Sequence, residues 1–118
     1  MLKEKEVLEK SIQVFTECLS VIPALKVETV ETLSGKAEPD FRVTIQGNGF
    51  NQIIYIEVKS LGTPKSTREA VNELSIHQRN RSSYGLLIAP FISPESANIC
   101  KEAGIGYLDL SGNCRIAF

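Results

Sequence analysis

Glu57 and Lys59 sit two residues apart in a stretch, Ile53 to Lys59, that alternates as a β-strand does. On such a strand Ile54, Ile56 and Val58 share one face, while Ile53, Tyr55, Glu57 and Lys59 share the other. The alpha carbons of Glu57 and Lys59 then stand ~7 Å apart, side chains parallel. Asp40 begins the preceding strand, Asp40 to Gln46, in which Phe41, Val43 and Ile45 alternate with Asp40, Arg42 and Thr44. Gly47-Asn48-Gly49 between the two is a tight-turn signal, so they are expected to form a hairpin that brings the carboxylates together. Two hard oxygen donors suit Mg²⁺ or Mn²⁺, ions that keep several waters. Such an ion polarises a phosphoryl oxygen and acidifies a water, and a lysine beside it steadies the attacking hydroxide or the pentacovalent charge. The competing reading is a solvent-facing Glu/Lys pair, contributing about 0.2–1 kcal/mol across strands.

Those groups need a scaffold. Leu8, Ile12, Phe15, Leu19 and Ile22 recur at three- and four-residue spacing, which predicts an amphipathic helix over residues 3–22, ended by Pro23. Lys26 to Leu33 reads as a strand and Ser34 to Ala37 as a loop. After the hairpin, Ser60 to Ser66 is a loop, and Ser66 or Thr67 is expected to cap a helix running to about Arg81. Its inward residues are Ala70, Val71 and Leu74. Tyr84 to Ala89 is nearly all apolar, as a strand inside a sheet must be. Ser93-Pro94-Glu95 opens another helix, stopped at Gly104. Ile105 to Leu110 and Cys114 to Phe118 read as strands around a Ser111-Gly112-Asn113 turn. The order α-β-β-β-α-β-α-β-β predicts an α/β fold, a mixed β-sheet flanked by helices.

Pro39-Asp40, sixteen intervening residues and Glu57-Val58-Lys59 together resemble the PD-(D/E)xK nuclease signature. The stretch from Val71 through Tyr84-Gly85-Leu86-Leu87-Ile88-Ala89 to Ala103-Gly104-Ile105-Gly106-Tyr107-Leu108-Asp109 is similar to the later half of Mrr-like restriction endonuclease domains. The likeness covers nearly the whole chain in element order and a few residues in identity. It implies a restriction endonuclease-like fold and a metal-dependent DNA endonuclease. Asp40 and Glu57 would match the metal-binding acids, the Val58 carbonyl a further metal ligand, and Lys59 the catalytic lysine. A homodimer is implied too, since many such nucleases pair to cut both strands. The same acid pair serves RNA cleavage equally. Relatives often carry a glutamate on the first helix that approaches the metal; here Glu4, Glu6, Glu9 and Glu17 compete, with Glu4 nearest the apolar face.

Charge is uneven along the chain. The formal total is −1, yet residues 1–40 carry five basic and eight acidic groups. Residues 59–81 set Lys59, Lys65, Arg68, Arg79 and Arg81 against Glu69 and Glu73. A local basic face on a near-neutral domain suits contact with phosphates, with Lys65, Arg68, Arg79 and Arg81 as the nucleic-acid-binding candidates. His77 and Gln78 continue the Val71–Leu74 face and could reach the edge of a site. Asp109 with Gly112-Asn113 is turn chemistry first, and a second acidic contribution to the site only after that.

At 118 residues the chain is read as one domain, 1–118, either a small stand-alone unit or part of a longer polypeptide. Its 42% hydrophobic and 23% charged residues exclude a disordered or collagen-like chain. No apolar run is long enough to span a bilayer and no signal peptide is readable, which makes the cytoplasm the default. Cys18, Cys100 and Cys114 are odd in number and widely spaced, and there is one histidine, so they read as small buried hydrophobes rather than a zinc site or disulfide scaffold. Gly104-Ile105-Gly106 lacks the third glycine of a dinucleotide fingerprint, and no phosphate-cradling Gly-x-x-x-x-Gly-Lys occurs. Three functions compete: a nuclease, a nuclease-like DNA-binding or regulatory module with little or no cleavage, and a structural domain whose acids decorate a sheet.

Overall fold

The computed structural model describes residues 4–35, 38–78 and 83–116. Its sheet is laid down in chain order. Strands β1 (Lys26–Thr32), β2 (Phe41–Gly47), β3 (Phe50–Val58), β4 (Ser83–Ala89), β5 (Gly106–Asp109) and β6 (Cys114–Arg115) are neighbours in that same sequence. The pairs β1–β2, β2–β3 and β5–β6 are antiparallel, and β3–β4 and β4–β5 are parallel. This is the expected mixed sheet. Each parallel pair needs a crossover, supplied by helix α2 (Pro64–His77) and helix α3 (Pro94–Glu102).

Two cores lie on opposite faces of the sheet. Helix α1 (Glu4–Ser20) packs Phe15 and Leu19 on Phe41, Val43, Ile45, Ile54, Ile56, Leu86 and Ile88. Helices α2 and α3 bring Ala70, Leu74 and Cys100 onto Leu87, Ala89 and Ile105. Strand β4 feeds both cores, Leu86 and Ile88 to one and Leu87 and Ala89 to the other, which is why it carries no polar alternation. Among the described residues no helix is long and apolar enough to cross a membrane.

Several boundaries differ from expectation, each for a local reason. The fully buried line on α1 is Val7, Ser11, Phe15 and Leu19, with Leu8 and Ile12 at its flank. Ser11 can lie there because its hydroxyl donates to the Val7 carbonyl at 2.6 Å. Helix α1 stops at Ser20, so Ile22 is 38% exposed. The cap of α2 is Thr63, not Ser66 or Thr67: its hydroxyl accepts from the Ser66 N–H at 3.4 Å. Pro64 then takes the first helical position, where a missing N–H costs nothing. The hairpin turn tightens to Asn48-Gly49, with Gly49 at φ 78°, and β3 starts at Phe50 rather than Ile53. Among the described residues the last strand is Cys114–Arg115, and positions 117 and 118 of the expected strand lie outside them.

Beyond β3 the chain passes so close to the segment after β4 that Gly62 bridges Ile92 in parallel fashion. A Cβ at Gly62 would meet the Phe91 carbonyl oxygen at 1.9 Å, so only glycine fits. The Ser96 hydroxyl donates to the Gly62 carbonyl at 2.7 Å and fastens this loop to α3. The loop leaving Lys59 is thereby fixed.

Candidate active site

One step beyond the Phe41–Ile56 pair, Asp40 and Glu57 stand opposite each other where β2 begins and β3 ends. The Val58 N–H donates to Asp40 Oδ2 at 2.8 Å, which holds the aspartate across the mouth of the hairpin. Lys59 is fixed in turn, because its N–H donates to the Ile88 carbonyl at 2.9 Å. Asp40, Glu57, Val58, Lys59 and Ser60 line a cavity of about 330 Å³, walled by Val7 and Leu8 of α1. It lies at the carboxyl end of β3, the end where α/β sheets open crevices for ligands.

Glu57 is 7% exposed, so it is not the solvent-facing partner of a surface pair. The face it shares with Tyr55 is roofed by α2, which brings up a residue the sequence pattern had not singled out, Glu73. Lys59 Nζ lies 3.6 Å from Glu73 Oε1. Burial first, then hydrogen bonding to the Glu73 and Asp40 carboxylates, pushes the Glu57 carboxyl up to about 10. The hydrogen bond that Glu57 donates, helped by the Lys59 ammonium, holds Glu73 below the usual carboxylate range. Glu57 thus lies against two other carboxylates, and the Lys59 ammonium pairs with one of them, Glu73.

That donor set fits a divalent cation. With every carboxyl ionised, the group carries two more negative than positive charges, and an ion of charge two balances it. Among the described residues no cluster of three or more His, Cys, Asp or Glu side chains is spaced to cage a metal alone. Asp40 and Glu57 are the two cavity-lining carboxylates that could hold an ion of the Mg²⁺ kind, whose remaining positions water fills.

The other candidates fall elsewhere. Glu6, Glu9 and Glu17 are exposed on α1, whose contribution to the cavity is apolar, and the side chain of Glu4 lies outside the described residues. Lys65 and Arg68 are exposed on the first turns of α2, and Arg68 Nη2 is 4.0 Å from Glu95 Oε1 on α3. Arg79 and Arg81 lie outside the described residues. His77 and Gln78 end α2 away from the cavity, beside Tyr55 of β3 and Gly85 of β4. There Gln78 accepts from the Gly85 N–H at 2.7 Å and donates to the Gly104 carbonyl at 3.1 Å, a structural clamp. His77 rests on the Tyr55 ring at 4.8 Å between centroids. Asp109 is wholly buried and keeps to turn chemistry: it accepts from the N–H groups of Ser111, Asn113 and Ile92 and from the Asn113 amide.

No protein-family model matches the chain, and no curated protein does. Solved structures do. EndoMS in its apo form superposes with a TM-score of 0.57 at 16% identity, over 92% of this chain and 48% of that one. The EndoMS–dsDNA complex gives 0.51 at 16% identity, over 98% and 48%. A repair endonuclease from Pyrococcus abyssi gives 0.54 at 14% identity, over 93% and 48%. The fold is that of these endonucleases. The chain spans about half the length of each.

Proposed function

We propose that this chain is a divalent-metal-dependent DNA endonuclease domain of the PD-(D/E)xK type, with the Mrr-like likeness of its later half as the finer placement. The observation that carries the reading is the convergence of Asp40, Glu57 and Lys59, from a hairpin end and the residue beyond it, on one cavity. A sheet whose acids were decoration would leave Glu57 in water. Here it is buried against two other carboxylates, one of which pairs with Lys59, at a cost in stability that a bound cation offsets. The likeness to endonucleases, one of them solved with double-stranded DNA, supports DNA as the substrate.

Asp40 and Glu57 would hold Mg²⁺ or Mn²⁺, with the Val58 carbonyl as a further oxygen donor. When bound, the ion supplies Lewis acidity at a phosphoryl oxygen and a more acidic water. Lys59, at the cavity mouth, donates to the phosphate where negative charge grows in the transition state. Glu73 holds the Lys59 ammonium in place. Val7 and Leu8 keep water from one side of the cavity. Lys65 and Arg68 take flanking phosphates. A cut in both strands needs two copies of this single site, so a homodimer belongs to the reading.

The test is plasmid nicking with Mg²⁺ or Mn²⁺, the native protein beside Lys59→Ala. Metal-dependent nicking that vanishes in the folded variant supports the proposal. DNA binding without nicking by either protein would move the reading to a recognition module. Equal nicking by both would sink the site assignment.

A further inference from the structure

Cys18, on the last turns of α1, and Cys114, at the start of β6, are 96 positions apart in sequence, yet their sulfurs lie 2.9 Å apart. We propose that these two residues are a reversible thiol-modification site, closing to an intramolecular disulfide by exchange with a disulfide of the glutathione class.

Three observations carry it. The sulfurs are inside van der Waals contact, and a disulfide at about 2.05 Å needs them to approach by less than ~1 Å. Cys114 is exposed and Cys18 half-buried, so a small disulfide in solution reaches the pair. The backbone around Cys114 can yield, because β6 is an edge strand of two residues held by one neighbour. Cys100 supplies the contrast: it is wholly buried in the other core, on the far face of the sheet. Of the three cysteines expected to be small buried hydrophobes, Cys100 alone is fully buried.

The reaction balances without a further oxidant. One protein thiolate attacks glutathione disulfide, releasing one glutathione thiol and leaving a mixed disulfide. The second protein sulfur displaces the remaining glutathione. Two S–H bonds are lost and one S–S bond forms; the two electrons and two protons leave on two glutathione thiols. Although the residue is exposed, partial desolvation of its sulfur, with the neighbouring Cys18 sulfur, pushes the Cys114 thiol up to about 12, so exchange is slow and an equilibrium experiment suits it better than a brief oxidant pulse. The bond would join the first helix to the last strand and enclose nearly the whole chain, the arrangement in which a cross-link restricts the unfolded state most. It would also tether α1, whose opposite end walls the candidate cavity.

The experiment equilibrates reduced protein with glutathione disulfide, then reads free thiols, intact mass and a non-reducing peptide map. The expected result is a fall from three thiols to one, the loss of two hydrogens, no retained glutathione, and a linked Cys18–Cys114 peptide. The melting temperature rises on oxidation and returns with dithiothreitol. Cys18→Ser and Cys114→Ser should each keep one glutathione instead of closing, whereas Cys100→Ser should close as the parent does. If a serine variant fails to fold, the peptide map of the parent protein decides alone. Retained glutathione on the parent, an unchanged thiol count, or a bond between two copies overturns the proposal.

Discussion

The Lys59 ammonium lies 3.6 Å from a Glu73 carboxylate oxygen, across the gap between the end of β3 and the third turn of α2. Glu73 also receives the hydrogen bond of Glu57, so it touches both the lysine and one of the two acids assigned to the metal. Glu73→Gln separates these roles. Removing its charge relieves Glu57, so Mn²⁺ affinity by calorimetry should hold or rise. Cleavage at saturating Mn²⁺ should fall roughly 10–100-fold, as for other residues that orient a site from behind. A parallel fall in affinity would make Glu73 a metal ligand instead.

Stability of the metal-free protein should depend on pH in a direction set by Glu57. Its carboxyl is pushed up to about 10 in the fold, against an ordinary value of 4.5. A carboxyl raised on folding favours the folded state most below its unfolded value, and that advantage fades as pH climbs toward the folded one. Between about pH 5 and pH 9 the metal-free protein should therefore lose stability steadily, read as a falling urea midpoint. Glu57→Gln should flatten the slope. Saturating Mg²⁺ should restore the parent at the alkaline end. A parent protein whose midpoint does not change with pH would contradict this picture of the cavity.

Asp40→Asn should keep the fold, because the amide oxygen can still accept from the Val58 N–H. Losing the charge should weaken Mn²⁺ binding by about tenfold or more and cut nicking with it. Unchanged Mn²⁺ affinity would remove Asp40 from the metal.

Asp109→Ala should do the opposite. The carboxylate serves three backbone N–H groups and one side-chain amide. The variant should lose about 2–4 kcal/mol in urea unfolding, since the buried Ile92 N–H is left without its acceptor. Cleavage per folded molecule should match the parent.

Lys65→Ala and Arg68→Ala report on phosphate contact. Each residue that neutralises one phosphate should lower the slope of log affinity against log salt by about 0.9. Binding that weakens with no change of slope would place these side chains away from the DNA backbone.

The parts of the site legible in the sequence are those that local geometry determines. Period-two alternation put Glu57 and Lys59 on one side, and the Gly47-Asn48-Gly49 turn brought Asp40 back beside them. The Asp109 turn was legible for the same reason, since its partners lie within a few residues. Glu73 was not. It sits beside Leu74 on a helix, half exposed, and only the packing angle of α2 against the end of β3 brings its carboxylate within reach of Lys59. The Cys18–Cys114 approach was equally hidden, because it depends on α1 and β6 meeting across the whole sheet. The cap of α2 was misplaced for a smaller reason: Ser66 and Thr67 are good caps, but Pro64 takes the first helical position two residues earlier.

Because the six strands among the described residues stand in the sheet in the order in which they occur in the chain, each of their pairings joins a strand to the one made just before it. No strand must wait for a distant segment to be inserted beside it. Assembly can proceed by accretion, the β1–β3 meander offering its open edge to β4 once α2 has folded back, and β4 then offering the next edge to β5. Loop-closure entropy is met in short instalments, which favours rapid folding for a sheet of this size. It also suits vectorial synthesis, in which the segment bearing Asp40, Glu57 and Lys59 leaves the ribosome before the strands that complete the sheet.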